Sequence, residues 1–505
     1  MRQLTALDVQ FLNAETTTTT GHVGGLSILD PSTAPGGKIT LDDVRDLIAG
    51  RLHLAKPLRW KLVQVPLGID HPYWIDDREF DIEYHVREIA LPAPGDDQQL
   101  AEQISRLTAR PLDRRRPLWE AYLIHGLQGG NIALYTKVHH AAIDGVSGAE
   151  LLGALMDTTV EPRVIDNPPR WLAENTPSQF GLLATGIRRI AMQPIKSVLA
   201  IPKLLPHVDE LPGVAARVPG VELLARAGSV LSRLTRQGPG RHDVDRPKLV
   251  APKTPFDGPI SPHRRFAYGS LPLAEVKTLK KSFGVTVNDV VMALCATAMR
   301  RWLEDHHALP EQPLVTMVPL SVRTPAQAGS AGNQISMMLA PLPTHVADPG
   351  ERLAEVTKAM IEAKKRYQPL PASWLVDFSG MLPAALGGLS ARAMMRYLGA
   401  TSPLFNLVVS NVPGAQFPLY QAGAKLLGHY PVSAITDASG GLNITVMSYN
   451  GQLDFGLVAC RELIPDVWNL IDYLRDALDE LTKLAEQVTP AGVDNGEAPS
   501  NTSGK

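Results

Sequence analysis

Ten prolines fall between residues 168 and 247, so the middle of this chain cannot run as one long helix or one central strand. Each proline removes a backbone donor and fixes φ, which leaves room only for short pieces between them. The break separates two long regions with the periodicities of ordered structure, 1–170 and 256–488. Residues 171–255 are read as a crossover linker. The last residues, 489–505, are small and polar and are read as a disordered tail.

Both long regions carry helical and strand patterns in alternation. Thr40 precedes "LDDVRDLIAGRL", whose Leu41, Val44, Leu47, Ile48 and Leu52 fall on one side of an N-capped helix. "DQQLAEQISRLTA" predicts a second helix. "WEAYLIHGL" and "NIALYTKVHH" read as strands joined through Gly129-Gly130, followed by a helix from about Val146 to Met156. Beyond the break, "LAEVKTLKKSF" and "TVNDVVMALCATAMRRWL" predict helices, the second capped by Asn288 or Thr286. "LVTMVPLSV" and "FNLVVSNV" read as strands. Asn450-Gly451 suits a tight turn inside the hairpin "GLNITVMSYNGQLDFGLVAC". "PDVWNLIDYLRDALDELTKLAEQ" closes the pattern as a long amphipathic helix. The expectation is a mixed α/β chain in two parts, with no sequence repeat between them.

Charge narrows the function classes. A net charge of -2 and a pI near 6.7 argue against a nucleic-acid partner, which calls for a basic domain. Two cysteines, Cys295 and Cys460, imply no disulfide framework and fit a reducing, cytoplasmic setting. Cys295 lies in an apolar run and reads as a buried structural thiol. The N-terminal residues lack a signal-peptide core, and no window is apolar for the ~20 residues a spanning helix needs. One local imbalance stands out. From Gly181 to Arg241 there are nine Lys/Arg against three Asp/Glu, interleaved with apolar pieces. This admits two readings: helices docked on the domains, or an amphipathic surface touching a membrane or lipid droplet.

The densest chemistry is "YTKVHHAAIDGVSG", residues 135–148. On a strand, adjacent side chains point to opposite faces, so His139 and His140 would not share a metal, and no third or fourth ligand stands at a metal-site spacing. A lone histidine at a strand end suits general-base work, since the neutral form dominates at cytosolic pH. Asp144-Gly145 would form a turn, and the N–H groups at the following helix start can face developing negative charge. Two core histidines and a capping aspartate would give the same letters. The Ser-His-Asp hydrolase alternative lacks its G-x-S-x-G elbow, and phosphate loops of the Walker type are absent too.

"HHAAIDG" matches the H-H-x-x-x-D-G motif, and the chain resembles the bacterial wax ester synthase/diacylglycerol acyltransferase family, within the wider CoA-dependent acyltransferases that include chloramphenicol acetyltransferase. The opening "LTALDVQFLNAE…HVGGLSIL", the P-L-W element at Pro117, Leu118 and Trp119, the N-D element at Asn288 and Asp289, then "VPLSVR", "GNQIS" and "NLVVSNVPG" follow in the family's order, over about Leu4 to Glu486. The resemblance implies two chloramphenicol-acetyltransferase-like halves around a central tunnel. It implies His140 as general base, deprotonating a lipid hydroxyl that attacks a long-chain acyl-CoA with no acyl-enzyme and no cofactor or metal. His139 then supports the site from beneath. Asp144 pairs with Arg323 to hold the loop, Gly145 keeps the tunnel floor open and offers its N–H, and Ser410 donates to the oxyanion. Asn288 and Asp289 cap and pack half against half, and Trp119 is core. The implied acceptor is diacylglycerol, as in the mycobacterial triacylglycerol synthases the chain resembles, or else a fatty alcohol. Other readings are acyl transfer to a polyketide or glycolipid hydroxyl, and a weakly active lipid-droplet protein. A peripheral seat on the inner membrane or on lipid droplets would suit such greasy substrates.

Overall fold

A computed structural model describes residues 1–143, 148–165, 177–188, 249–321, 335–367, 403–437 and 439–488. Most of the crossover, the tail, Asp144, Gly145 and Arg323 therefore lie outside the described residues.

The helices start where the sequence supplies caps. Helix α1 (Ala6–Ala14) begins at Thr5, whose hydroxyl takes the Asp8 N–H while the Asp8 carboxylate takes the Thr5 N–H. The same reciprocal box opens α2 (Leu41–Arg51) with Thr40 and Asp43, and α3 (Asp97–Ala109) with Asp96 and Gln99. Helix α4 (Gly148–Leu155) falls inside the span the sequence predicts, and Val146 lies outside the described residues. Helix α5 (Leu273–Phe283) ends at Gly284 in the left-handed region, φ 68°. In α6 (Val287–Asp305) the cap is Thr286, reciprocated by Asp289. Asn288 is thus not a cap: it lies inside the helix. Two long amphipathic helices, α7 (Pro349–Tyr367) and α8 (Val467–Val488), follow.

The strands assemble into two six-stranded mixed sheets and a small third one, giving the expected mixed α/β class. The small sheet joins β1 (Arg2–Gln3), β3 (Trp60–Val63) and β4 (Tyr73–Asp76). The second large sheet runs β10 (Ile335–Leu342), β9 (Leu314–Ser321), β11 (Leu407–Pro413), β14 (Leu442–Tyr449), β15 (Gln452–Cys460) and β8 (Arg264–Pro272), in that order. Helices α5 to α8 pack over it around a core that includes Trp302, Phe455 and Cys295. Burial pushes the Cys295 thiol up to about 12, which leaves it unreactive. The β14–β15 hairpin turns on Asn450 (φ 41°) and Gly451 (φ 84°), as the Asn-Gly pair predicts.

The first large sheet departs from the simple picture of two separate halves. Its order is β12 (Tyr420–Gln421), β13 (Ala424–Val432), β2 (His22–Asp30), β7 (Ile132–His139), β6 (Trp119–His125) and β5 (Val86–Ala90). Strands β12 and β13 come from the C-terminal region, and β13 pairs antiparallel with β2, Tyr430 opposite Leu26. The parts therefore interlock. Strand β13 crosses β15 at Gly456, where a Cβ would stand 1.8 Å from the Pro431 carbonyl oxygen, so only glycine fits. Beside the crossing, the Ser27 hydroxyl lies 2.9 Å from His429 Nδ1, and the His429 N–H donates to Asp454. Helix α3 lies against β8, with the Tyr268 hydroxyl donating to Asp97. Arg264 donates to the Thr18 carbonyl, which gives the threonine run at 16–20 a part in joining the regions.

Candidate active site

Strand β7 places the two histidines, and it ends between them. His139 is the last strand residue, and His140 opens a 3-10 turn over His140–Ala142. The alternating-face argument from the sequence therefore applies only to His139. Thr136 and Val138 pair with Gly25 and Val23 on β2, and Gly21, just before β2, accepts the His140 N–H at 2.8 Å. This pins the backbone of the turn without using either imidazole.

His139 is buried and spoken for. Its Nδ1 accepts the Ala141 N–H at 3.0 Å, so its ring proton sits on Nε2, 3.2 Å from Glu15 Oε1. Glu15 follows α1 directly. Its carboxylate also takes the Gly21 N–H at 3.0 Å and Arg114 Nη2 at 2.6 Å, and His22 Nε2 lies 3.5 Å away. Burial alone would raise the Glu15 pKa, but His139, the Gly21 N–H and Arg114 outweigh it and hold the carboxyl well below the usual range. Burial, with Lys137 next, pushes His22 down to about 3. A Cβ at Gly21 would stand 2.8 Å from His139 Nε2, so a larger residue there would unseat the ring. The Ala141 N–H contact ties the His139 ring to the turn that follows the strand.

His140 is different. Its ring stacks on Phe11 of α1, with centroids 4.0 Å apart and planes 20° apart. Nδ1 is buried and has no hydrogen-bond partner among the described residues. Nε2, the other ring nitrogen, makes no hydrogen bond among the described residues and is not one of the buried unpartnered atoms. Burial first, then the neighbouring His139, pushes the imidazole down to about 4, while its own main-chain carbonyl pulls the other way. The ring is therefore neutral at neutral pH and competent as a proton acceptor.

Ser410, Asn411 and Asn288 form a second group, on the second sheet and the helix beside it. Ser410 and Asn411 lie on β11 in register with Thr445 and Val446 of β14. The half-buried Ser410 hydroxyl has no hydrogen bond among the described residues, whereas Thr445 bonds Asn443 and Ser433. Asn411 Nδ2 approaches Asn288 Oδ1 at 3.5 Å. Asn411 belongs to the second sheet and Asn288 to helix α6, which packs on it. No hydrogen bond or ion pair among the described residues links this group to His140. The pairing of Asp144 with Arg323, and the role of Gly145, lie outside the described residues. Trp119 is core, stacked on His85 at 4.5 Å and donating to the Leu58 carbonyl at 2.7 Å. Among the described residues no cluster of His, Cys, Asp or Glu has the makings of a metal site. Phe11, Glu15, Arg114 and Gly21 carry no local pattern that marks them. Their one sequence signal is that they fall in the segments "LTALDVQFLNAE…HVGG" and "RPLDRRRPLW" that carry the family resemblance.

Residues 4–291 match the wax ester synthase/diacylglycerol acyltransferase catalytic domain, and 331–482 match the WS/DGAT C-terminal domain. A putative diacylglycerol O-acyltransferase of Mycobacterium tuberculosis is 35% identical over 96% of this chain and 91% of its own length. The O-acyltransferase WSD of Acinetobacter baylyi is 34% identical over 95% of this chain and 96% of its own. The solved wax ester synthase/diacylglycerol acyltransferase of Marinobacter aquaeolei VT8 superposes with a TM-score of 0.67 at 30% identity, covering 96% of this chain and 100% of that one.

Proposed function

We propose that this chain, which belongs to the wax ester synthase/diacylglycerol acyltransferase family, transfers a long-chain acyl group from acyl-CoA to the free hydroxyl of diacylglycerol, forming triacylglycerol. The observation that carries the chemistry is the His140 imidazole held neutral by burial, with Nδ1 buried and Nε2 engaged in no hydrogen bond among the described residues. The acceptor hydroxyl gives its proton to Nε2 while its oxygen attacks the thioester carbonyl. The tetrahedral oxyanion collapses, the C–S bond breaks, and the imidazolium returns the proton to the CoA thiolate. No acyl-enzyme forms, so no nucleophilic serine or cysteine is required, and acyl-CoA enters as co-substrate with no cofactor. Ser410 is the proposed oxyanion donor, because its hydroxyl has no competing partner among the described residues. Asp144 is assigned a structural pairing with Arg323 rather than a catalytic dyad. A fatty alcohol is the second acceptor class, on the strength of the wax ester synthase likeness.

The site of work is proposed to be a lipid surface. No single helix among the described residues is long and apolar enough to cross a membrane. The described part of the crossover offers a peripheral contact instead. Residues 179–188 are helical, Leu182 packs on Val65 and Tyr73, and the opposite side exposes Phe180 (85%) and Ile187 (58%) beside Arg188.

Purified protein, radiolabelled palmitoyl-CoA and diolein or hexadecanol, with thin-layer separation of products, test the reaction. His140→Ala should lower ester formation by about 10²–10⁴ while the melting temperature stays near that of the parent. An alanine variant as fast as the parent would end the assignment.

A further inference from the structure

A catalytic imidazole needs its ring held in one plane, and a hydrogen bond to Nδ1 is the usual means. Here Nδ1 has no partner among the described residues, and its own main-chain carbonyl is the one polar group that raises its pKa. Free rotation about χ2 would sweep Nε2 away from any fixed substrate. Among the described residues, the aromatic contact that restricts the ring is the near-parallel face of Phe11. That face is itself fixed. Helix α1 is capped at its start by Thr5 and Asp8, Arg114 donates to the Leu12 carbonyl at 2.6 Å, and Glu15 closes its far end on Gly21 and His139. One helix thus reaches both histidines: Phe11 covers His140, and Glu15, four residues on, engages His139. Among the described residues, the titratable and charged groups around the turn are His139 at the end of β7, Glu15 after α1, His22 on β2 and Arg114 on the 110–116 loop. None of them hydrogen-bonds the His140 ring.

We propose that Phe11 is a positioning residue for the acyl transfer, its ring fixing the plane of the His140 imidazole and keeping water from that face. The proposal rests on His140 as the base. It separates two effects, orientation and dryness, which different substitutions remove. Phe11→Leu keeps the site apolar but loses the flat face. Phe11→Ala loses both. Phe11→Tyr keeps both.

Two readouts decide it. The first is the titration of His140 in protein labelled with ¹³Cε1-histidine, the signal assigned by its absence in His140→Ala. The second is the pH dependence of kcat and kcat/KM with palmitoyl-CoA and diolein. In Phe11→Ala the His140 midpoint should climb from about 4 toward the unperturbed ~6.5. Because the neutral ring is the active form, the acid limb of kcat/KM should move up with it. Phe11→Leu should leave the midpoint low yet cut kcat on the order of tenfold at pH 8. Phe11→Tyr should retain kcat within about twofold, since it preserves the stack. Unfolding would also bring the midpoint to ~6.5, so the titration is read only over the pH range in which circular dichroism shows the variant folded, and the acid limb of kcat/KM, which folded enzyme alone reports, must move with it. Phe11→Ala or Phe11→Leu with the midpoint, acid limb and kcat of the parent would overturn the proposal. If the parent esterifies no alcohol, the acyl-transfer reading falls, and the midpoint in the Phe11 variants still decides whether this ring controls His140.

Discussion

Glu15 meets its partners through two oxygens, and its protonation state matters for stability. One oxygen accepts Gly21 N–H and faces His139, and the other takes Arg114. Its folded pKa lies below the ordinary value, so its contribution is fully present above the unfolded value of ~4.3 and is lost as pH falls toward the folded one. Glu15→Gln keeps the shape and an acceptor but removes the charge. We expect it to cost about 1.5–3 kcal/mol at pH 7, the range for hydrogen bonds to a charged group. The gap to the parent should narrow steadily below pH 4.5. Urea midpoints at pH 7, 4 and 3 check this, and a gap that is the same at all three values would mean the charge is not what matters. The histidine pair was legible in the sequence because its spacing is local. Phe11 and Glu15 were not, because they meet the motif across about 125 residues of chain, and nothing in a helix of mixed composition marks one ring or one carboxylate as the one that turns inward.

Elements were legible where local chemistry dictates them and blurred where two residues compete. The span of α3 and the Asn450-Gly451 hairpin follow from caps, periodicity and turn type alone. The cap of α6 did not, since Asn288 and Thr286 both qualify by residue type. Asp289 settles it, standing three residues after Thr286 and returning the hydrogen bond. The helix at 179–188 shows a different limit. It is apolar on nearly every side, a pattern suited to complete burial or to contact with lipid, and its sequence cannot say which side is covered. In the structure Leu182 and Gly186 are covered, by Val65 and Ile69, and Phe180 and Ile187 are not. Leu67, 86% exposed and in the left-handed region at φ 60°, lies two residues from both Val65 and Ile69. If this face meets lipid, Phe180→Ser with Ile187→Ser should reduce flotation with anionic liposomes, and low-salt flotation should fall further when Arg188 becomes Glu. Acyl transfer to a detergent-dispersed acceptor should stay unchanged. Parental flotation in the triple variant would remove this surface from the proposal.

The whole molecule is held by an exchange that strand patterns cannot reveal. Which strand pairs with which depends on contacts hundreds of residues apart, and β13 reads equally well as part of either sheet. It pairs with β2 in the first sheet, yet its Pro431 carbonyl presses on Gly456 of β15 in the second. Separation of the sheets would strip β2 of one of its two neighbours and strand the Ser27–His429–Asp454 contacts, so the described regions should unfold together. Gly456→Ala puts a methyl 1.8 Å from that carbonyl, where two backbones, not a movable side chain, must give way. Overpacking of this kind costs typically 1–3 kcal/mol and more when backbone must shift, so we expect a loss of roughly 3 kcal/mol or more. Gly153, inside α4 with open space around its Cα, is the matched control. Alanine there should gain about 0.5–1 kcal/mol through the unfolded state. Calorimetry should show one main transition that Gly456→Ala moves down as a unit. Two resolved transitions, only one of them shifted by Gly456→Ala, would mean that the sheets melt independently and that β13 belongs energetically to one of them alone.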